Sequence, residues 1–137
     1  MTEQTLILIK PDGVRRGLTG EILARIERKG YAISDLKLVH ALPEQLHKHY
    51  RDHVEKSFYP GLVDYMTSGP MVAAVIEGRR VIEGVRSLCG DTDPTTAAPG
   101  TIRGDYGRDW GTEAVLNLVH SSDSAESAQW EKSVWFG

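Results

Sequence analysis

The sequence predicts a domain of mixed strands and helices, on two observations. Four short apolar runs, rich in β-branched residues, are bounded by turn residues. Between them lie stretches whose apolar residues recur three and four positions apart, the spacing of an amphipathic helix. Strands alternating with helices suit a doubly wound parallel sheet or a split β-α-β ferredoxin-like sheet, and periodicity does not choose between them.

The run Thr5 to Ile9 (TLILI), closed by Lys10-Pro-Asp-Gly13, reads as a central strand. A helix begins at Thr19, which is placed to cap it; Ile22, Leu23 and Ile26 form its apolar face, and Lys29-Gly30 ends it. Ile33 to His40 is the second strand. Pro43-Glu44 opens another helix, with Leu46, Tyr50 and Val54 on one side, and Ser57 to Thr67 forms a further helix through Phe58, Leu62 and Met66. Met71 to Ile76 (MVAAVI) is the third strand, Arg80 to Leu88 is helical, and the Gly, Pro, Thr and Asp of residues 90–104 mark a loop. Ala114 to His120 is the fourth strand. Asp123 and Glu126 have the spacing of a capping box for a last helix reaching about Trp135.

A chain of 137 residues is about one domain's worth, and residues 1–137 are read as a single domain with its own core. A net charge of −3 argues against a dedicated surface that holds nucleic acid by bulk electrostatics. No apolar run approaches the roughly 20 residues that span a bilayer. The start MTEQTLILIK places an acid before a very short apolar run and is not a signal peptide. Cys89 is the only cysteine, which excludes an internal disulfide, fits a reducing compartment, and continues an apolar pattern with Val81, Ile82, Val85 and Leu88. The expectation is a cytoplasmic protein without membrane attachment.

The two common nucleotide fingerprints, GxxxxGK[ST] and GxGxxG, are absent, as are CxxC and HExxH. His49 and His53 lie four apart with His47 nearby, a spacing that suits a metal or simply a solvated histidine-rich helix face. His120, Ser122 and Asp123 bring together the residue types of a hydrolytic triad, but near-adjacent side chains at a strand end diverge, and no serine sits in a nucleophile elbow. His120 can instead act alone, because imidazole accepts a phosphoryl group through one ring nitrogen. The other nitrogen then needs an acceptor, which Glu126 or Glu131 on the last helix could supply. Such a nucleophile also needs cations for the phosphate oxygens, and Lys10, Arg86 and Arg103 stand at element ends.

That arrangement closely resembles nucleoside diphosphate kinase along nearly the whole chain. The matching segments are TLILIKPDGV (5–14), GEILARIERKG (20–30), HY (49–50), TSGPMVAAVIEG (67–78), GDTDP (90–94), APGTIRGD (98–105) and NLVHSSDSAESA (117–128). The last is similar to the family signature Asn-x-x-His-Gly-Ser-Asp around its phosphorylated histidine. The resemblance implies an α+β ferredoxin-like β-α-β-β-α-β sandwich with a four-stranded antiparallel sheet and additional helices, its first and third strands central.

The resemblance further implies transfer of the γ-phosphate of a nucleoside triphosphate to a nucleoside diphosphate, ribo or deoxy, by a ping-pong route through phosphohistidine with Mg²⁺ on the phosphates. His120 would be the nucleophile, oriented by Glu131 and Ser122, with Tyr50 near the reacting group. Lys10, Arg86, Thr92 and Arg103 would hold phosphates, and Asn117 with Lys10 would bind the sugar hydroxyls. Phe58 would stack on the base beside Leu62, and recognition mainly by stacking tolerates every base. A homo-oligomer is implied, a hexamer first, with tetramer or dimer as alternatives. The intact set Lys10, Arg86, Arg103, Asn117 and His120 argues against a catalytically silent interaction module.

Two departures from the family pattern stand out. The 104–116 segment is about four residues longer than the family's link, an insertion that surface loops absorb cheaply. Its nearness to the nucleotide could alter a base contact or a subunit interface. Ser121 replaces the signature's glycine; if that position requires φ > 0, serine costs about 1 kcal/mol.

Overall fold

The computed structural model describes residues 2–137. The chain runs β1 (Glu3–Ile9), α1 (Pro11–Arg15), α2 (Thr19–Arg28), β2 (Ala32–Val39), α3 (Pro43–His49), α4 (Tyr59–Met66), β3 (Met71–Gly78), α5 (Val81–Cys89), α6 (Ile102–Tyr106), β4 (Val119–Ser121) and α7 (Ala125–Phe136). The strands form one sheet in the order β2-β3-β1-β4. Every neighbouring pair is antiparallel, so the parallel alternative is excluded and the ferredoxin-like arrangement stands.

The apolar strands β1 and β3 occupy the sheet centre, where both faces are covered. Alternation along β1 sends Ile7 and Ile9 to one core, shared with Ile22 and Ile26 of α2 and Val81 and Val85 of α5. Leu6 and Leu8 go to a second core, built with Leu46 of α3, Met66 of α4 and Trp135 of α7. The edge strand β2 is mostly exposed, with Leu36 and Leu38 presenting 49% and 63% of their surface.

Several sequence expectations need correction. Thr19 is the first helical residue of α2 rather than its cap, which is Leu18 without a side-chain bond. The last helix is capped by Ser124, whose hydroxyl accepts from Ser127 N, and Asp123 does not hold that position. A shift of one residue moves the cap because Ser, Asp and Asn are interchangeable there. The helix from Pro43 stops at His49, so Tyr50 is its C-cap and Val54 lies in the turns that follow. The next helix begins at Tyr59, not Ser57.

Two short helices were not read from sequence. α1 begins with Pro11 at its first position, inside what looked like a plain turn, and α6 interrupts the 90–104 loop where the Thr101 hydroxyl caps Gly104 N. The fourth strand is three residues long, not seven, because Leu118 has φ 72° and turns the chain out of the extended region just before it. Ser121 lies inside β4 and is not among the residues with positive φ, so the anticipated backbone cost there does not arise.

Candidate active site

His120 sits on β4 opposite Leu8 of β1, so the sheet itself fixes its position. Its Nε2 lies 2.8 Å from Glu131 Oε1 on α7. The Ser122 hydroxyl donates to the same Glu131 oxygen at 2.7 Å. Leu6 N donates in turn to Ser122 Oγ at 3.1 Å, tying the group to the central strand. A carboxylate only accepts, so the histidine nitrogen facing Glu131 carries a proton, and it is in the neutral ring that Nδ1 holds the lone pair. Ser122 is fully buried and points to Glu131 rather than to His120, while Asp123 is exposed. The side chains do not form a hydrolytic triad.

Lys10 follows β1, where its backbone N donates to the Leu118 carbonyl at 2.8 Å and its Nζ to Asn117 Oδ1 at 2.7 Å. Burial, assisted by the Arg103 charge and opposed by Asp12 and Cys89, pulls Lys10 down to about 7. The Asn117 amide also donates to the Thr92 carbonyl at 3.2 Å, which anchors the exposed Thr92 loop. Arg103, on α6, is buried and donates to three backbone carbonyls: Asn117 at 3.1 Å, Gly90 at 2.8 Å and Val119 at 2.6 Å. Two of its five N–H groups remain for a ligand. Arg86 stands exposed in the last turn of α5.

These groups surround one cavity of about 880 Å³. Ten of the residues singled out from sequence line it: Lys10, Tyr50, Phe58, Leu62, Arg86, Thr92, Arg103, Asn117, His120 and Glu131. Ser122 alone lies beneath the wall. Phe58, the N-cap of α4, is 54% exposed and lines the cavity with the Lys56 ammonium and the His53 ring beside it, and Leu62 stands one turn further on. Cations and amide donors occupy one flank and an apolar plate another, an arrangement suited to an anionic ligand with a flat ring.

A buried support that sequence reasoning missed lies behind the wall. Asp12 accepts from Tyr65 OH and from Leu118 N, holding Leu118 in its left-handed conformation. Such strain persists only where surrounding bonds over-determine it. Gly13 beside it cannot be enlarged, since a Cβ would meet Ile9 Cγ2 at 2.9 Å. The segment Lys10-Pro-Asp-Gly13 contained this signal, because a carboxylate in an otherwise apolar, buried turn needs a partner.

The three histidines near α3 do not converge. His47 Nδ1 meets Tyr59 OH at 2.9 Å, His53 Nδ1 meets Lys56 Nζ at 2.8 Å, and His49 turns inward beneath Trp135. His49 was weighed from sequence only as a possible metal ligand, yet it lines the cavity and its ring lies 4.5 Å from that of His120. The longer 104–116 segment contributes no residue to the cavity. Its Trp110 rests against Arg16 and Arg108 instead, while Glu113 approaches Gly61 of α4.

The sequence profile of the nucleoside diphosphate kinase family matches residues 3–137. The chain belongs to that family. A nucleoside diphosphate kinase of Nocardia farcinica is 56% identical over 137 residues, covering 99% of this chain and 96% of the relative. Its counterpart from Rhodococcus erythropolis is 57% identical over the same length and with the same coverage. Among solved structures, the Borrelia burgdorferi nucleoside-diphosphate kinase, a transition state mimic with bound vanadate and ADP, superposes with a TM-score of 0.93. It is 35% identical and covers 99% of this chain and 88% of that one. A halophilic family member from Halobacterium salinarum in complex with CDP gives 0.92 at 44% identity, with coverage of 99% and 88%.

Proposed function

We propose that this chain transfers the γ-phosphate of a nucleoside triphosphate to a nucleoside diphosphate by a ping-pong route through phosphohistidine at His120 Nδ1. The observation that carries the proposal is the Glu131 contact. With its Nε2–H engaged, the neutral His120 ring would present its Nδ1 lone pair in a fixed plane at the cavity wall, as a nucleophile requires. Arg86, the remaining N–H groups of Arg103, Lys10 and Thr92 would receive the phosphates. Asn117 and Lys10 would take the sugar hydroxyls, and Tyr50 would lie near the reacting group. Phe58 with Leu62 would carry the base by stacking, which supports broad base specificity in both ribo and deoxy series.

Mg²⁺ is the proposed cofactor, and it would neutralise charge on the phosphates. The donor set fits that role without a dedicated protein cage. Asp91 and Asp123 offer oxygens at the cavity wall, and Mg²⁺ is commonly held by substrate phosphates, water and one or two carboxylates. The protein's own contribution is to fix the nucleophile and aim cations at the transferring group.

We further propose one domain over residues 1–137, a cytoplasmic location and a homo-oligomer, a hexamer before a tetramer or dimer. Among the described residues no helix is long and apolar enough to cross a membrane. The exposed Leu36 and Leu38 on the edge strand β2 support burial against a second copy. Initial rates measured at several fixed concentrations of the second nucleotide test the route. Parallel double-reciprocal lines are expected, and intersecting lines would reject a phosphoenzyme that forms before the second nucleotide binds.

A further inference from the structure

Trp135, on α7, donates from its indole Nε1 to His49 Nδ1 at 3.0 Å. An indole N–H only donates, so His49 Nδ1 carries the lone pair and the neutral ring has its proton on Nε2. Burial, reinforced by His120 and Lys10, pushes His49 well below its usual range and keeps the ring neutral. That Nε2–H has no partner, although His49 is more than nine-tenths buried. Buried donors are almost always paired, and an orphan calls for an explanation.

The Tyr50 hydroxyl is a second orphan beside it. Burial, with Glu131 and Tyr59 adding to it, raises the Tyr50 phenol, so this group is also a donor. Both residues line the cavity, and the His49 ring packs edge-to-face on that of His120 at a 74° interplanar angle. Neither orphan atom finds a hydrogen-bond partner within the protein, although both residues border the cavity. A phosphoryl group built onto the adjoining His120 ring would bring three acceptor oxygens into that corner.

A metal is the competing occupant, since ligand atoms of His49, His120 and Glu131 lie within 4.8 Å of one another. The tautomer speaks against it. A metal on Nε2 needs a lone pair there while Trp135 needs one on Nδ1, and a neutral imidazole has only one.

We propose that His49, held by Trp135 as its Nε2–H tautomer, is a further catalytic residue that donates this N–H to an oxygen of the phosphoryl group carried on His120. The role rests on the phosphohistidine reading above. In the step itself the His120 Nδ1 lone pair forms the N–P bond, and the bond from Pγ to the bridging oxygen breaks. Its electron pair leaves on the nucleoside diphosphate. His49 gives a hydrogen bond and keeps its proton. Preorganised donors aimed at a transferring group act in this way without reorganising during reaction.

The test compares wild type, H49F and H49Q in single-turnover phosphorylation by γ-labelled ATP with Mg²⁺, alongside ADP affinity. H49F, which keeps an aromatic ring without the donor, should slow labelling by on the order of 10²-fold and leave ADP affinity within about twofold. H49Q, whose amide N–H reaches the Nε2 position, should recover most of the loss. A packing role would give the opposite ranking. Equal rates for H49F and wild type, or an H49Q as slow as H49F, would overturn the proposal. Should H49F not fold, ¹⁵N NMR of the wild type decides: His49 is expected as the Nε2–H tautomer, converting to a mixture in W135F. An Nδ1–H or doubly protonated ring at neutral pH would refute it. A wild type that takes no label at all would instead remove the phosphohistidine reading beneath it.

Discussion

Arg103 Nη2 donates to the Val119 carbonyl at 2.6 Å, one residue before His120 on the same strand. With its bonds to Asn117 and Gly90, the guanidinium clasps the backbone on which the proposed nucleophile stands. Burial lowers its proton affinity, with Arg86 nearby adding to the effect, yet an arginine remains charged. One side chain would therefore combine this scaffold with the proposed phosphate contact.

Replacing Arg103 by alanine should cost about 2–4 kcal/mol of transition-state stabilisation, the scale for one preorganised donor. It should also lower Tm, because three backbone carbonyls, two of them in buried bonds, lose their partner. Arg103→Lys should rescue little, since an ammonium cannot reproduce the planar fork. Steady-state kcat/KM and calorimetry check both effects, and an unchanged kcat/KM rejects the ligand role.

For Glu131→Gln, the carbonyl can still accept from His120 Nε2 but no longer as an anion. Losing the charge-assisted part should raise the phosphorylation barrier by about 1–2 kcal/mol while leaving His120 labelled. Rapid-quench labelling measures this, and wild-type rates in the variant would show that the carboxylate is not what orients the ring.

Lys10 gives a pH dependence with a definite sign. In the free protein it is about half neutral near 7, whereas bound phosphates favour its charged form. Nucleotide binding between about 7 and 10.5 should therefore take up a proton and weaken as pH rises through that window. By the same linkage, the unfolded chain binds more protons there, so this group makes the fold more stable with rising pH. Titration calorimetry in buffers of different ionisation enthalpy near about pH 8.5 should register uptake. Absence of any uptake contradicts a neutral buried Lys10.

Ser121→Gly should destabilise the protein by about 0.5–1 kcal/mol, because glycine in a strand loses more freedom on folding than serine. Thermal unfolding tests this. A rise in Tm would mean that the position is strained after all.

Shortening the 104–116 segment by four residues around Trp110 should leave labelling of His120 intact, since none of its residues reaches the cavity. Loss of labelling in a folded variant would make the segment part of the site.

The residues that line the candidate site were legible because they occur in short local motifs. Lys10, Arg86, Asn117 and His120 could be named before any coordinate, and the central strands could be named from apolar runs buried on both faces. Periodicity alone did not fix strand direction; the family resemblance did. What stayed hidden depends on partners far away in the chain. The Trp135 bond to His49 spans 86 residues, and the Asp12 bond to Leu118 spans 106. The left-handed Leu118, which cuts the fourth strand short, follows from those tertiary bonds and not from leucine's own preference. The cap of the last helix was missed by one residue because several polar side chains in a row could each have served.

The most direct measurement is the chemical nature of the enzyme-bound label after incubation with γ-labelled ATP and Mg²⁺. An acid-labile, alkali-stable adduct, present in wild type and absent in His120→Ala, is the expected result. No adduct, or one that survives His120→Ala, would contradict the account.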